Sequence, residues 1–337
     1  MTTDAAAPIT YRSPLLDLAG AVAIDPALDP VDAGIAWHYA DPLREQRRLD
    51  EGTGFVDLSN RGVIAVEGPD RLSWLHSLIS QHVEHLAPGV GTEGLLLSPN
   101  GHVEQHFGLL DDGSTTWLHT EPGRDDALVA FLDSMRFMLR VEVRNETANR
   151  SVIWFPRDSE PVSAMLQEQR LDAVVVPARR GTFALIRRED VVEASSTWEE
   201  PAGVWAFEAL RVAAAEPRLG FETDHRTIPH EVGWIGPAVH LQKGCYRGQE
   251  TVARVHNLGR PPRRLVLLHL DGSTQAHLPA HGTEVMVEDR AVGFIGTAVH
   301  HFELGPVALA IVKRNVPTDI DLVVGEVSAS QEVVVAP

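Results

Sequence analysis

The sequence predicts an α+β protein that ends in a small antiparallel β-barrel or sandwich. Strand-like and helix-like patterns alternate between residues 54 and 150, and such interleaving favours α+β layers over a helix bundle. A second mixed region begins at residue 151. After the segment GRPPRR, short apolar strands follow one another across Gly- or Pro-containing turns, which is typical of small barrels.

These changes of pattern predict four segments. They are a flexible N-terminal extension over residues 1–30, an α+β domain over 31–150, a second α+β domain over 151–255, and a C-terminal barrel domain over 256–337.

In the first domain, FVDLSNRGVIAVEGPD predicts two strands that turn at residues 59–62. A helix should begin near Pro69, which suits the first helical position, and continue to Leu86 before Pro88-Gly89. Two strands turning at residues 99–101 follow, then a strand in TTWLHTEP, a helix from Asp125 through ALVAFLDSMRFML, and a strand in VEVRNE.

In the second domain, SVIWFP, AVVVPA and TFALIRR predict strands, and VWAFEALRVAAA predicts a helix. Its core-facing residues should be Val204, Phe207, Leu210 and Ala214. GRPPRR is interpreted as a solvated, proline-containing linker. The predicted barrel strands are RLVLLHL, TEVMVED, RAVGFIGTAVH, VALAIVKR and DLVVGEVSA.

Composition restricts the classes of partner. The formal net charge is −18, from 29 Lys and Arg against 47 Asp and Glu, so the chain repels phosphate backbones and anionic lipid. We therefore expect no direct nucleic-acid partner and no membrane partner. No apolar run approaches the roughly 18 residues of a membrane helix, the N-terminus lacks signal-peptide features, and there is one cysteine. A cytoplasmic location is the expectation.

The single cysteine lies in QKGCYRGQETVAR, residues 242–254. Lys243 and Arg247 are close enough in sequence to favour the thiolate of Cys245. Gly244 and Gly248 permit positive φ and close approach of the backbone to a ligand. The amide and carboxylate that follow them could bind a polar heterocycle. A buried, structural thiol fits the residue chemistry equally well.

The sequence gives little support for a metal site, a hydrolase nucleophile or a phosphate-binding loop. The sixteen histidines are scattered and form no HExxH pattern, so no metal site is predicted. There is no GxSxG elbow and no phosphate-binding glycine loop. His240 and His256 flank the cysteine segment, which leaves a Cys–His pair as a minor alternative.

Residues 243–250, KGCYRGQE, resemble the K-G-C-[FY]-x-G-Q-E signature of the YgfZ-type folate-binding family, a branch of the aminomethyltransferase (GcvT) superfamily. Three further stretches resemble that superfamily in the expected order: FVDLSNRGVIAVEGPDRLSWLHSLIS, EALRVAAAEPRLGFE and VGFIGTAVHHFELGPVALAIVKR. Together they cover about residues 30–315.

The resemblance implies three domains in a cloverleaf around a central cavity that binds tetrahydrofolate or a derivative, with residues 31–150 as a folate-binding domain. It also implies a role in assembly or repair of iron–sulfur clusters, which would support tRNA-modifying and other cluster enzymes and make iron–sulfur proteins its partners. Cys245 would be a reactive thiol assisted by Lys243 and Arg247. The implied folate-binding residues are Gly244, Tyr246, Gly248, Gln249, Glu250, Arg211, Arg254 and Glu104, with Arg226 as a further cation for the glutamyl tail.

Two departures bear on the activity. Aminomethyltransferases carry an acidic pair after the first helix, and here the matching residues are Glu104 and Gln105. Transfer of an aminomethyl group to folate needs a well-placed carboxylate, so aminomethyl or other one-carbon transfer is the second hypothesis. A glutamate found after L-R-[IV] in many members is also absent here, which leaves Glu208, Glu222 or Glu250 to replace it. A third hypothesis is a non-catalytic folate sensor in which the cysteine only packs.

Overall fold

The computed structural model describes residues 11–27, 29–272 and 277–336. It divides into two compact units. The first comprises the described residues up to Leu78, together with His82–Gly94 and Gln105–Phe207. The second comprises Ile79–Gln81, Leu95–Glu104 and the described residues from Glu208 onward.

Strands and helices alternate through the first part of the chain, as the sequence predicts. In order they are β1 Val22–Ala23, β2 Ala36–His38, α1 Pro42–Asp50, β3 Phe55–Asp57, β4 Gly62–Glu67, α2 Arg71–Leu78, β5 Gly91–Leu97, β6 Val103–Asp111, β7 Thr115–Thr120, α3 Asp125–Ser134, β8 Glu142–Asn145, β9 Arg150–Phe155, α4 Ser159–Glu168, β10 Ala173–Pro177, β11 Thr182–Arg187, α5 Val191–Ser195, β12 Pro201–Ala202 and α6 Val204–Ala213.

These strands form one two-stranded and two five-stranded sheets. The pair is β1-β2, and the larger sheets have the orders β10-β11-β9-β3-β12 and β5-β6-β7-β4-β8. The mixed α+β content that the sequence predicts is thus confirmed.

The C-terminal elements form a closed antiparallel barrel, so the predicted barrel is confirmed. After α7 Gln249–Leu258 come β13 Arg263–Leu270, β14 Glu284–Val287, β15 Arg290–His301, β16 Gly305–Lys313, β17 Leu322–Val324 and β18 Val327–Val333. Their order around the barrel is β13-β16-β15-β14-β17-β18. The barrel interior is filled by small and branched apolar side chains such as Val266, Ile295 and Ala310, all fully buried.

Two predicted helices are shorter than expected. α2 ends at Leu78 rather than near Pro88, because the Ser80 backbone bonds to Leu95 and His240 and cannot continue a helical ladder. α3 ends at Ser134, and Phe137, with φ +47°, lies beyond it. The periodicity of the sequence predicts neither helix end, because both ends depend on contacts with distant residues.

Two further predictions need correction. Ala214 is exposed and lies past the end of α6, whereas Val204, Phe207 and Leu210 are buried as expected. GRPPRR is not wholly a linker, since β13 begins at Arg263. Arg264 is fully buried, and its guanidinium donates to the carbonyls of Arg314 and Val316 at 3.0 Å each.

Part of the predicted N-terminal extension is outside the described residues, namely residues 1–10 and residue 28. Beyond residue 10, Leu15 is buried in the core of the first unit. The Ser13 hydroxyl donates to the carboxylate of Asp57. These contacts anchor the start of the described chain to β3.

Candidate functional site

The cysteine segment lies in the second unit, and only its first half is a loop. α7 begins at Gln249, inside the segment, with Gly248 as its N-cap at φ +81°. A Cβ at Gly248 would lie 2.6 Å from the Ser98 carbonyl oxygen and 2.8 Å from the Gly101 Cα. Gly248 is therefore required by the approach of the turn at residues 98–101, and its predicted role in folate binding stays a prediction.

The Lys243 side chain fixes this loop to residues 79–81. Its side chain is only 5% exposed, and its ammonium donates to the carbonyls of Ile79 at 2.5 Å and Gln81 at 3.1 Å. The same ammonium lies 5.2 Å from the centre of the Tyr246 ring. Because both carbonyls belong to Ile79–Gln81, one charged side chain joins two stretches of the second unit that are distant in sequence.

Cys245 is presented to solvent. It is exposed, and the neighbouring Gly244 is exposed with open space around the position of a Cβ. The alternative of a buried thiol is therefore wrong, and the reactivity of the thiol stays a prediction. The predicted effect of Lys243 and Arg247 on the thiolate stays a prediction, because the contacts described for these cations are with carbonyls and a carboxylate.

The remaining residues of the signature have different environments. Tyr246 is buried in the apolar core of the second unit, and burial raises the pKa of its hydroxyl to about 12. The Gln249 amide lies 3.5 Å from the Lys243 carbonyl oxygen. Glu250 and Arg254 are exposed on α7. The structure thus separates packing residues of the signature from those that a ligand or partner could reach.

Glu104 and Gln105 are consecutive residues of β6, so their side chains point to opposite faces of the strand. The Glu104 carboxylate accepts a hydrogen bond from Arg247 at 3.0 Å, with both side chains about one-third exposed. Gln105 is buried, and its Oε1 has no hydrogen-bond partner within the described residues. The second acid of the pair is therefore replaced here by a buried neutral amide.

Arg211 belongs to a buried ion cluster of the second unit. Its guanidinium donates to Glu208 at 2.7 Å, Glu222 at 3.1 Å, Thr297 Oγ1 at 2.7 Å and the Glu216 carbonyl at 2.5 Å. Together with the Nε bond to Glu208 at 3.0 Å, these contacts use all five of its N–H groups. Arg211 is thus placed to orient Glu208 and Glu222, and it has no donor left for a folate tail.

The first unit contains a cluster of aromatic and cationic side chains that no sequence motif predicts. The Arg61 guanidinium lies 5.6 Å from the centre of the Phe183 ring and 5.7 Å from that of Phe207. Arg180 lies 5.0 Å from the Phe207 ring and 4.8 Å from the Trp154 ring. These residues come from four separate stretches of chain, and none forms a local motif.

His119 completes this cluster. Its ring lies 4.4 Å from that of Phe183, and burial, reinforced by the charge of Arg61, lowers its pKa to about 3. A Cβ at Gly108 would lie 2.3 Å from His119 Nε2, so glycine on the neighbouring strand makes room for the imidazole. In the described part of the chain, His119 Nδ1 and Arg61 Nε are buried without a hydrogen-bond partner. Such orphaned polar atoms need a hydrogen-bond partner, such as water or a polar ligand.

Two further classes of site are not found. Within residues 11–27, 29–272 and 277–336, no three His, Cys, Asp or Glu side chains are grouped as a metal site would require. No helix in those ranges has the length and apolar character needed to cross a bilayer.

Comparison with known proteins places this geometry in context. No family model matches the chain. It is 25% identical over 309 residues to an aminomethyltransferase of Nostoc sp., covering 81% of this chain and 80% of that protein. It is 27% identical over 315 residues to an aminomethyltransferase of Geobacillus kaustophilus, covering 82% and 84% respectively.

A candidate transferase of the Arabidopsis thaliana chloroplast is 24% identical over 271 residues, which are 73% of this chain but only 61% of that protein. The chain thus spans less than two thirds of this relative's length. Among solved structures, the glycine cleavage system aminomethyltransferase T from Bartonella henselae matches with a TM-score of 0.74 and 19% identity, over 95% of this chain and 94% of that one. This likeness shows that the protein has the aminomethyltransferase fold, as its sequence predicts.

Proposed function

We propose that the protein binds a reduced folate, tetrahydrofolate or a derivative, and acts as a YgfZ-type accessory factor in iron–sulfur cluster assembly or repair. The single observation that carries the folate proposal is the aromatic and cationic cluster of Arg61, His119, Arg180, Phe183 and Phe207 within an aminomethyltransferase fold.

The residues of this cluster fit a pterin. A pterin is flat, aromatic and rimmed with hydrogen-bonding groups, so it needs ring contacts together with a few placed polar atoms. Arg61 Nε supplies a donor, and neutral His119 has Nδ1 available as a donor or acceptor, depending on its tautomer. A buried polar atom without a partner costs about 1–3 kcal/mol, and pairing with a ligand would recover that cost. The guanidinium groups also suit the carboxylates of a glutamyl tail.

The accessory role rests on Cys245. An exposed thiol on a loop that is anchored at both ends by Lys243 and Gly248 is available to a macromolecular partner. One cysteine does not supply the four ligands that a cluster normally takes. Any cluster would therefore be held jointly with a partner protein, and the clients would be iron–sulfur enzymes, including those that modify tRNA.

Aminomethyl or other one-carbon transfer is the alternative. The curated aminomethyltransferases among its relatives favour it. Against it stands the local chemistry of β6, where Glu104 is bound by Arg247 and Gln105 is a neutral amide. A carboxylate bound by a guanidinium must give up that contact before it can bind a substrate amine. Turnover of an aminomethyl-loaded lipoyl carrier by the purified protein would favour one-carbon transfer over the accessory role.

Two experiments test the proposal. Calorimetric titration with tetrahydrofolate, 5-formyl and 5,10-methylene forms should show binding that Arg61→Gln weakens at least about 10-fold, the loss of a charge-assisted bond. Arg44→Gln, an exposed arginine of the same unit, is the matched control. No binding of any form at high micromolar concentration would refute the folate site.

The thiol is tested separately. Cys245→Ala should leave folate affinity unchanged while abolishing support of iron–sulfur enzyme activity in cells lacking the natural protein. Full rescue by Cys245→Ala would show that the thiol has no such role, and would leave the folate proposal intact.

A further inference from the structure

A cleft on the outer wall of the barrel lies apart from every residue assigned above to folate or to thiol chemistry, except Arg226. It has a volume of about 460 Å³ and lies entirely within the second unit. Its walls include Pro262, Phe294 and Ile311, and its cations are Arg226, Arg263 and Lys313. This size is within the range of small-molecule sites.

The three cations of the cleft are not equivalent. Arg263 is structural, because it donates to Asp224 at 2.6 Å and to Glu231 at 2.8 and 2.9 Å. Arg226 and Lys313 are exposed, and neither has an ion-pair partner among the described residues. Lys313 contributes one hydrogen bond, to the Ala291 carbonyl at 2.9 Å. The charges of Arg226 and Lys313 are thus available at the cleft.

The barrel register concentrates positive charge here. Arg263 of β13 lies directly opposite Lys313 of β16, and like charges in such cross-strand pairs are destabilising. Asp224 and Glu231 neutralise the arginine of this pair but not the lysine. Three cations are thus set against the two carboxylates of Asp224 and Glu231 in a chain of net charge −18, and an anion beside Lys313 and Arg226 would balance the remaining positive charge.

We propose that this cleft binds a small aromatic carboxylate. The carboxylate would lie between the guanidinium of Arg226 and the ammonium of Lys313. The flat apolar body would rest on Phe294, Ile311 and Pro262. The site is independent of the proposed folate site, so loss of folate binding in Arg61→Gln would leave it unchanged.

The test compares three probes of one shape and different charge: 2-naphthoate, 2-naphthalenemethanol and 2-naphthalenemethylammonium. Calorimetry on the full chain should rank the anion first and the cation last. Arg226→Gln combined with Lys313→Gln should weaken naphthoate binding by about 3- to 10-fold, the effect of two exposed charge pairs, and should remove the preference for the anion. Arg44→Gln combined with Arg124→Gln, which removes two exposed charges outside the cleft, is the control.

Methyl NMR locates the binding. Naphthoate should shift the δ1-methyl signal of Ile311, which lines the cleft, and leave that of Ile64 in β4 of the first unit unchanged. Three results would overturn the proposal: equal affinity for the three probes, an unshifted Ile311 methyl signal, or naphthoate affinity unchanged in the double variant.

Discussion

Replacing Lys243 with methionine should destabilise the protein far more than any change to the cysteine two residues away. Methionine keeps an unbranched apolar stem, one atom shorter than lysine, and removes the ammonium that donates to the Ile79 and Gln81 carbonyls at 2.5 and 3.1 Å. A hydrogen bond to a charged group contributes about 1.5–3 kcal/mol, so two give roughly 3–6 kcal/mol. The contact with the Tyr246 ring adds to this.

Part of that loss is offset, because the variant no longer buries a charge in a site that is 5% exposed. The expected net decrease in the free energy of unfolding is about 2–4 kcal/mol. It should appear in urea denaturation followed by tryptophan fluorescence, which has a local reporter in the buried Trp234 of the second unit.

Two matched variants make the result interpretable. Cys245→Ala alters an exposed side chain and should change the free energy of unfolding by less than about 0.5 kcal/mol. Arg247→Gln breaks a partly exposed ion pair with Glu104 and should cost at most about 1 kcal/mol. If Lys243→Met were as stable as Cys245→Ala, the interpretation of Lys243 as the anchor of the loop would be refuted.

Two other perturbations have definite expected outcomes. His119 is neutral when folded, with a pKa of about 3, and protonated at mild acid when unfolded, so its contribution to stability is lost as pH falls from about 6.5 toward 3, at about 1.4 kcal/mol per pH unit. His119→Gln should therefore reduce the loss measured by urea denaturation between pH 7 and pH 5 by about 2 kcal/mol, and an unchanged pH slope would contradict the burial argument. Gly248→Ala places a Cβ 2.6 Å from the Ser98 oxygen at positive φ and should lower the free energy of unfolding by at least about 2 kcal/mol. Gly244→Ala, with open space around the added carbon, should be within about 0.5 kcal/mol of the parent, and equal effects at the two glycines would refute the distinction.

The sequence predicts the barrel well because its strands are short apolar runs separated by turn residues, a pattern that depends on local composition. The end of α2 is not predictable in this way. Leu78 is followed by residues of equal helical character, and the helix stops because Ser80 bonds to Leu95 and His240. α7 did carry a signal: its valines at positions 252 and 255 precede Gly259, whose φ of +65° closes the helix.

The roles of the cations were the least predictable part of the candidate site. A lysine and an arginine beside a cysteine suggest activation of the thiol, yet sequence distance does not fix where a long side chain ends. Lys243 extends to the carbonyls of Ile79 and Gln81, and Arg247 to Glu104. Likewise Arg61 and His119 lie in strand-rich stretches without a motif, and only the folded sheets bring them to Phe183.

The residues of the signature KGCYRGQE therefore hold one exposed thiol, that of Cys245, in a defined position. Lys243 and Tyr246 fix the loop to the second unit, and Gly248 lets α7 begin against the turn at residues 98–101. Gly244 and Cys245 are left in solvent between these anchors. A thiol that served only packing would need no such support, since a buried cysteine is held by its neighbours. An anchored but exposed thiol fits contact with a partner molecule, which is why Cys245→Ala should separate cellular function from stability.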